Sequence, residues 1–476
     1  MVPSALAGRS DPAAALPPEL VLKCIWGFSF DDLRPLLAVS ARWRAIALAS
    51  KVYWSFIHLQ WFTPGAVNLF LTRLARTGTR PVSLIIELRP PKPELVQLQD
   101  VILAAVRDHL HHLTWLVFLL RASDAPKLWD ALAGPASELR HFDLRVDTGS
   151  ITDPLPVIPA ELFAGQAPHL HTVSMRDLAL PPRPVHVFFR VTSLTLRYTV
   201  SRPMDDVFRH FPHVTDANLP SPASFGNPAF ARSALYRNIK VWSWQSGRKF
   251  HNIPFPLAAV HDIETVRVYF PLPREISGLI AHLTPPLSFT FEPNPLCPDE
   301  EFNLSVTGQS DANRPWRILI DKYRFWSPTK GPDLRHALHA ALAGRANTLL
   351  ISAPMWASLL QCVPPVPGLR YLRILGYKPE DLFELLPAPF LLCDLLQLEL
   401  KSKAGCVTLP VLDVLMFAKG SFNAAVLLRA TLLLVNVHLD GSPNSFTRVF
   451  GDVVFAHSGP CSYRSPRRRL RKTSVP

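Results

Sequence analysis

The sequence has no paired cysteines. Its six thiols, Cys24, Cys297, Cys362, Cys393, Cys406 and Cys461, are scattered, and no two sit at CxxC spacing. That spacing excludes a zinc module and a small disulfide framework, and predicts reduced, buried thiols. Charge is also sparse. Only 18% of residues are charged against 48% hydrophobic, which excludes a disordered chain. No apolar run reaches the roughly 20 residues of a membrane-spanning helix. The most apolar stretch, Ala424 to Leu439, contains Arg429 and reads as core. The opening MVPSALAGRSDPAAA lacks the basic start and continuous apolar segment of a secretory signal, so the sequon at Asn303 carries no weight. The expectation is a chain of the cytoplasm, the nucleus or both, with no membrane contact.

Catalytic signatures are missing too. There is no GxSxG, P-loop, HExxH, or GxGxxG following a strand. His109 and His112 share a helix face and make a metal pair geometrically possible. With no cysteine and only Asp108 nearby, a solvated surface is the expected state of His109, His111 and His112. Asp31 and Asp32 read as a helix cap and Cys24 as core. No catalytic residue, metal site or cofactor is therefore assigned.

Proline, by contrast, is abundant. The 48 prolines in 476 residues are about twice the usual share and cut the chain into short elements. The length implies two to three domains, or a small domain joined to a repeat array. The formal charge of +13 invites nucleic acid, but six of those charges sit in the tail: Arg464, Arg467, Arg468, Arg469, Arg471 and Lys472. The remaining surplus is dispersed, which argues against nucleic-acid binding as the main function. The segment 465–472 is either a nuclear-import signal, an acidic-surface contact or a solvated terminus.

Residues 16–59 carry three short helical patterns. The first opens at Pro17-Pro18 with Glu19 in its first turn, repeats Leu20, Val21, Cys24 and Ile25, and exits at Gly27. The second runs through Leu33, Leu36, Leu37, Val39, Trp43, Ile46 and Ala47, with Pro35 in its first turn. The third carries Tyr53, Trp54 and Ile57. A unit of about 45 residues barely buries a core alone and tends to borrow surface from a partner.

Leu16-Pro17, Glu19-Leu20, Ile25, Asp32-Leu33, Val39-Ser40, Trp43-Arg44 and Trp54, in this order and spacing, resemble the F-box family. Pro35 departs from it, where members more often carry a helix former. The resemblance implies a three-helix unit that docks on a Skp-type adaptor, and through it on a cullin. Leu16, Pro17, Leu20, Ile25, Leu33, Leu36, Val39 and Trp43 become the adaptor-contact candidates, with Trp54 anchoring the end. Each of these positions has the alternative of packing within the hook.

Beyond residue 59 a phrase recurs: apolar, two residues, apolar, one residue, apolar. It appears as Leu113-Leu116-Phe118, Leu139-Phe142-Leu144, Leu170-Val173-Met175 and Val191-Leu194-Leu196. Weaker copies are Val214-Ala217-Leu219, Ile239-Trp242-Trp244 and Ile263-Val266-Val268. Late copies are Ala346-Leu349-Ile351, Leu369-Leu372-Ile374 and Leu395-Leu398-Leu400. Consecutive copies start 21 to 31 residues apart, the range of stretched leucine-rich repeats. The last two apolar positions alternate as in a strand with one buried face, and the intervening chain returns on the other side. Residues 124–133 and 158–164 read as return helices, and 96–113 as an amphipathic helix joining hook and array. Segments 285–326 and 422–454 fit the period badly, leaving insertion, worn repeat and cap open. Trp242 and Trp244 point to the core, whereas Trp316, Tyr323 and Trp326 are candidates for exposed aromatic contacts.

The stretch Leu155 to Met175 resembles repeats of fungal F-box proteins, although the usual turn asparagine is mostly missing. The expected fold is α/β: a small all-α F-box hook followed by an irregular leucine-rich-repeat solenoid, a curved horseshoe. Its segments are a flexible N-terminus (1–11), the F-box (12–60), a helical linker or first repeat (61–112), the array (113–455) and a basic disordered tail (456–476). The resemblance implies a non-catalytic substrate-recognition subunit of a Skp–cullin–F-box ubiquitin ligase that binds an unknown protein substrate. The alternatives are a non-ligase F-box scaffold and a repeat-based binder with no adaptor link.

Overall fold

The computed structural model describes residues 16–24, 35, 38–49, 51–88, 96–149, 154–197, 204–219, 238–245, 263–269, 276, 279–281, 283–294, 301–309, 315–324, 338, 342, 345–356, 366–382, 385 and 394–456. The chain is α/β, built on mostly parallel sheet, and divides into two compact units, Met1–Pro220 and Ser221–Pro476.

In the first unit seven strands pair in chain order, each parallel to the last. They are β1 (Phe56–Leu59), β2 (Val82–Leu88), β3 (Leu113–Arg121), β4 (His141–Asp147), β5 (Thr172–Arg176), β6 (Ser193–Arg197) and β7 (Asp216–Leu219). Parallel neighbours require a crossover connection, and the first ones are helical. Helices α1 (Pro18–Cys24), α2 (Ala41–Ala49) and α3 (Lys51–Ser55) precede β1; α4 (Pro64–Arg76) joins β1 to β2, α5 (Val96–His109) joins β2 to β3, and α6 (Ala125–Ala131) joins β3 to β4. Further along the connections shrink to 3-10 turns, Leu162–Gly165 and His186–Arg190, before α7 (Met204–His210). The expected return helix at 158–164 is thus a tight turn, in which Phe163 and Ala164 take left-handed φ of 55° and 51°. Such backbone costs roughly 1–3 kcal/mol and persists only where surroundings hold it. Here the Phe163 amide donates to Leu132 O at 2.9 Å, and its ring meets Phe142 edge-on at 5.2 Å.

The recurring phrase explains the core. Every described position of it, from Leu113 to Leu400, is buried. Leu116, Phe142, Val173, Leu194 and Ala217 stand side by side across β3 to β7, and Phe118, Leu144, Met175 and Leu196 form the next row. The side chain of Trp244 lies outside the described residues.

The second unit keeps the same ladder with one interruption. Strands β8 (Val241–Gln245) and β9 (Thr265–Tyr269) are parallel, but the next neighbour of β9 is β12 (Pro315–Arg324). The antiparallel β11 (Glu301–Gln309) then links β12 to β10 (Thr284–Pro293), and β10 pairs parallel with β13 (Ala346–Ser352). Of the three alternatives left open for 285–326, insertion is the one observed. A two-strand hairpin enters between β9 and β10, and an even number of strands preserves the direction of the ladder. Strands β14 (Tyr371–Gly376), β15 (Gln397–Ser402), β17 (Thr431–Val435) and β19 (Asp452–Ala456) continue it in parallel. Segment 422–454 is therefore regular ladder, carrying in addition β18 (Val437–Asp440), which pairs with β16 (Val407–Pro410) in a separate two-stranded sheet. Helices α8 (Val411–Ser421) and α9 (Ala424–Leu427) lie between β16 and β17. The apolar stretch 424–439 is divided among α9, β17 and β18, and among the described residues no helix is long and apolar enough to cross a membrane.

Two smaller expectations fail. Ile57 is a strand residue of β1, not part of a third helix. Its β-branched side chain fits the pleated ladder beside Leu84 of β2, and burial there outweighs the local helical pattern. Cys406 is exposed rather than buried, being placed in the turn before β16; the Cys24 side chain and the other four cysteines lie outside the described residues.

Several polar side chains are buried among these apolar rows, Gln99 among them. Gln99 of α5 is fully buried, and neither its amide nitrogen nor its oxygen has a hydrogen-bond partner among the described residues. An orphaned buried amide costs about 1–3 kcal/mol, whereas an apolar side chain of similar volume costs nothing in lost hydrogen bonds. Gln99→Leu is expected to stabilise the first unit by about 1 kcal/mol, read as a rise in urea midpoint at unchanged slope. Phe142→Ala is expected to cost about 3–5 kcal/mol in the same measurement.

Candidate functional site

Two surfaces of the first unit expose apolar or aromatic side chains: the N-terminal helices and the solvent face of the strand ladder. In α1 the carbonyl of Pro17 accepts from the amides of Leu20 and Val21 at 3.0 and 3.2 Å, starting the helix at the second proline of the pair, Pro18. Val21 turns inward and is buried. Leu20 turns outward with 45% of its surface exposed, and Leu22 is exposed beside it in sequence. Helix α2 is capped by Ser40, whose Oγ accepts from the Trp43 amide at 3.2 Å. Immediately before that cap, Val39 is 60% exposed. The Arg42 guanidinium donates to the Leu16 carbonyl and so ties α2 back to the start of α1.

The inner side of this helical hook is closed. Ala47, Tyr53 and Trp54 are buried, and Trp54 Nε1 donates to the Leu48 carbonyl at 2.6 Å. Arg73 of α4, itself buried, donates to the carbonyls of Tyr53 and Phe56, the latter at 2.9 Å, and lies 4.9 Å from the Tyr53 ring centre. Burial pulls its pKa down to about 10, against the raising influence of Tyr53, so at neutral pH it remains a cation held by backbone oxygens. This latch fixes the hook's last helix to the first strand.

The predicted contact residues separate accordingly. Pro17, Leu20 and Val39 are exposed, Leu16 and Trp43 half-buried, and Trp54 is buried. Ile25, Leu33 and Leu36, like the proposed cap at Asp31 and Asp32, lie outside the described residues.

The ladder's outward side chains also align in rows. Phe56, Ser83, Trp115, His141, Thr172, Ser193 and Asp216 stand at the strand starts. Trp115 is 44% exposed and stacks on His141 at 4.4 Å, while His171 meets His141 edge-on at 4.6 Å. Burial holds the His141 pKa below its usual value, with His171 and Arg140 pushing the same way.

Nearer the strand ends Leu119, Arg145, Arg176 and Arg197 form another row, with Glu87 beside Leu119 and the pair Arg121–Asp147 beyond it. The four arginines invite an anion, but the balance of charge decides otherwise. Asp143 binds Arg145 at 2.6 Å, and Asp177, held at a left-handed φ of 57°, lies 3.4 Å from Arg176. With Glu87 and Asp147 the carboxylates also number four, so the row carries no net charge. A phosphorylated or strongly acidic target finds no unopposed cation cluster here.

The histidine cluster differs from expectation. His112 is buried rather than solvated, because the 3-10 turn after α5 swings its ring inward. Its Nδ1 pairs with the Arg80 carbonyl at 2.6 Å and its Nε2 with His109 Nδ1 at 2.8 Å. Burial lowers the pKa of both rings. Among the described residues no three His, Cys, Asp or Glu side chains are placed to hold a metal ion.

The sequence reading missed Trp115 as an exposed aromatic, although its slot immediately before the second apolar position of the phrase faces outward, as does His141 one repeat later. Trp61 and Phe56 are also exposed, at the end of the hook. The side chains of Trp316 and Tyr323, and all of Trp326, lie outside the described residues.

No protein-family model matches this sequence, and no curated protein matches it.

Two outcomes follow from this geometry. Arg73→Ala removes the guanidinium that bonds the Tyr53 and Phe56 carbonyls and should cost about 2–4 kcal/mol, with Arg73→Lys recovering part of it, both by equilibrium unfolding. The lowered histidines set a pH trend. Below about pH 6.5 the unfolded chain takes up protons that folded His109, His112 and His141 resist, so their contribution is complete above that pH and lost as pH falls through it. Unfolding free energy is expected to decrease between about pH 7.5 and 5.5, and the decrease to be smaller in His141→Gln.

Proposed function

We propose that this chain is an F-box adaptor, the substrate-recognition subunit of a Skp–cullin–F-box ubiquitin ligase, with its ladder forming a divergent leucine-rich-repeat solenoid. One observation carries the reading. Leu20, Leu22 and Val39 are aliphatic side chains left exposed on short helices, while Val21, Ala47, Tyr53 and Trp54 are buried and the Arg73 latch closes the inner side. Large aliphatic side chains left in water on so small a unit gain free energy when a partner covers them, about 25 cal/mol for each Å² removed from water. The order Leu16-Pro17, Glu19-Leu20, Val39-Ser40 and Trp43-Arg44 resembles the F-box pattern, and that resemblance makes Leu20 and Val39 adaptor-contact candidates.

In this reading the chain catalyses nothing. The hook lays its helices on an apolar groove of the adaptor, and the ladder's solvent face holds the target. Holding a target lysine beside a charged carrier enzyme raises its effective concentration, and proximity supplies the acceleration. The charge-neutral arginine row favours recognition of a mixed polar and aromatic surface centred on Trp115, with no requirement for phosphate.

Leu20→Asp combined with Val39→Asp is expected to lower the affinity for a purified Skp-type adaptor at least about a hundredfold by isothermal titration, with the thermal melt unchanged. Trp115→Ala should leave adaptor binding intact. Adaptor binding that survives the double substitution contradicts the reading, and co-purification of a cullin with the tagged chain separates a ligase subunit from an adaptor-bound scaffold.

A further inference from the structure

In the second unit, α8, α9 and the 3-10 turn Pro443–Arg448 enclose a cleft of about 700 Å³. Phe422, Leu427 and Val449 are its buried apolar lining, and Leu415 and the exposed Leu428 complete the apolar part. The polar part is of one sign. Lys419 stands in the last turn of α8, Arg448 ends the 3-10 turn, Asn444 and Ser445 are neutral, and among the described residues no carboxylate lines the cleft. Both cations are exposed.

The apolar surface continues past the cleft. Helix α8 turns Val411, Val414, Phe417, Ala418 and Ser421 inward. On another side it carries Leu412, Leu415, Met416 and Lys419, spaced i, i+3, i+4 and i+7, which is a single helical stripe. Leu412 is 64% and Met416 53% exposed, large values for a leucine and a methionine on a helix whose inner face is already packed. A small amphiphile filling the cleft would leave Leu412 and Met416 in water. An extended partner covers them and the cleft together, and the two cations require it to carry acid at the cleft end.

We propose that this surface docks an amphipathic helical segment of another protein, its apolar stripe lying on Leu412, Leu415, Met416 and Leu428 and its acidic residues meeting Lys419 and Arg448. The mode is helix-in-groove recognition, with apolar anchors for affinity and charge for orientation. It is independent of the F-box reading, since none of these residues belongs to the hook.

The test uses the full chain and fluorescence anisotropy of two synthetic helical peptides. Both carry leucines at i, i+3, i+4 and i+7; one has glutamates flanking the stripe at one end, the other lysines in their place. The glutamate peptide is expected to bind about tenfold more tightly than its lysine twin. Lys419→Glu combined with Arg448→Glu should reverse that preference, and Met416→Asp should abolish binding of both peptides. These are surface substitutions, and unchanged thermal melts confirm that the fold is retained. Equal or absent binding of the two peptides overturns the proposal. So does a preference that charge reversal leaves in place, or complete displacement of the glutamate peptide by dodecanoate at lower concentration than the peptide itself requires, which identifies a small-amphiphile site.

Discussion

The described strands of this protein bury mainly one of their two faces, and they do so against their neighbours. Leu116, Phe142, Val173, Leu194 and Ala217 occupy equivalent positions in successive strands, and none of them is covered by its own repeat alone. Stability in such a ladder is transmitted from neighbour to neighbour, and every other side chain is left free to face outward. The outward rows, the helical returns and the attachment of the N-terminal helices all depend on that alternation. Strand β1 is the point where the hook joins it: Ile57 and Leu59 are buried in the ladder, while Arg73 holds the preceding helix through the carbonyls of Tyr53 and Phe56.

The proposed function rests on the difference between these surfaces. The hook exposes the aliphatic side chains of Leu20, Leu22 and Val39 alongside the charged Glu19, Lys23 and Arg44, an amphipathic surface suited to cover by a partner. The ladder's outward rows are polar, partly aromatic and internally charge-paired, suited to reversible recognition. The pairing of Asp143 with Arg145 and of Asp177 with Arg176 matters here, because it removes the electrostatic reason to look for a phosphorylated target. The cleft beside α8 is of a third kind, apolar with two cations and, among the described residues, no lining carboxylate; its lining belongs to the second unit.

The ladder was legible in the sequence because its signal is repeated: a slot that reads leucine in one copy and phenylalanine in the next still marks the buried side. The failures have local causes. In β17 the first slot of the phrase is taken by Arg429, which is exposed, so Leu432 and Leu434 go unrecognised although they are fully buried. The inserted hairpin of β11 and β12 carries good alternation but reverses direction, which periodicity does not record. The short β1 follows a helical pattern without a turn signal and was absorbed into it. His112 was expected in water because its helix was read as continuing, whereas a change to 3-10 geometry rotates the ring inward. In the hook, Leu20 and Val21 belong to one apolar pattern in the sequence, and the structure separates them, Leu20 outward and Val21 inward; the proposal that a partner covers Leu20 comes from resemblance to a family and not from the residues themselves.

Hydrogen exchange on the full chain, with and without a purified Skp-type adaptor, examines the central claim most directly. The account predicts new protection of amides in residues 16–24 and 38–49 on adding the adaptor, with residues 113–197 unchanged. Protection confined to the ladder, or none at either place under conditions where a known F-box protein binds, would contradict it.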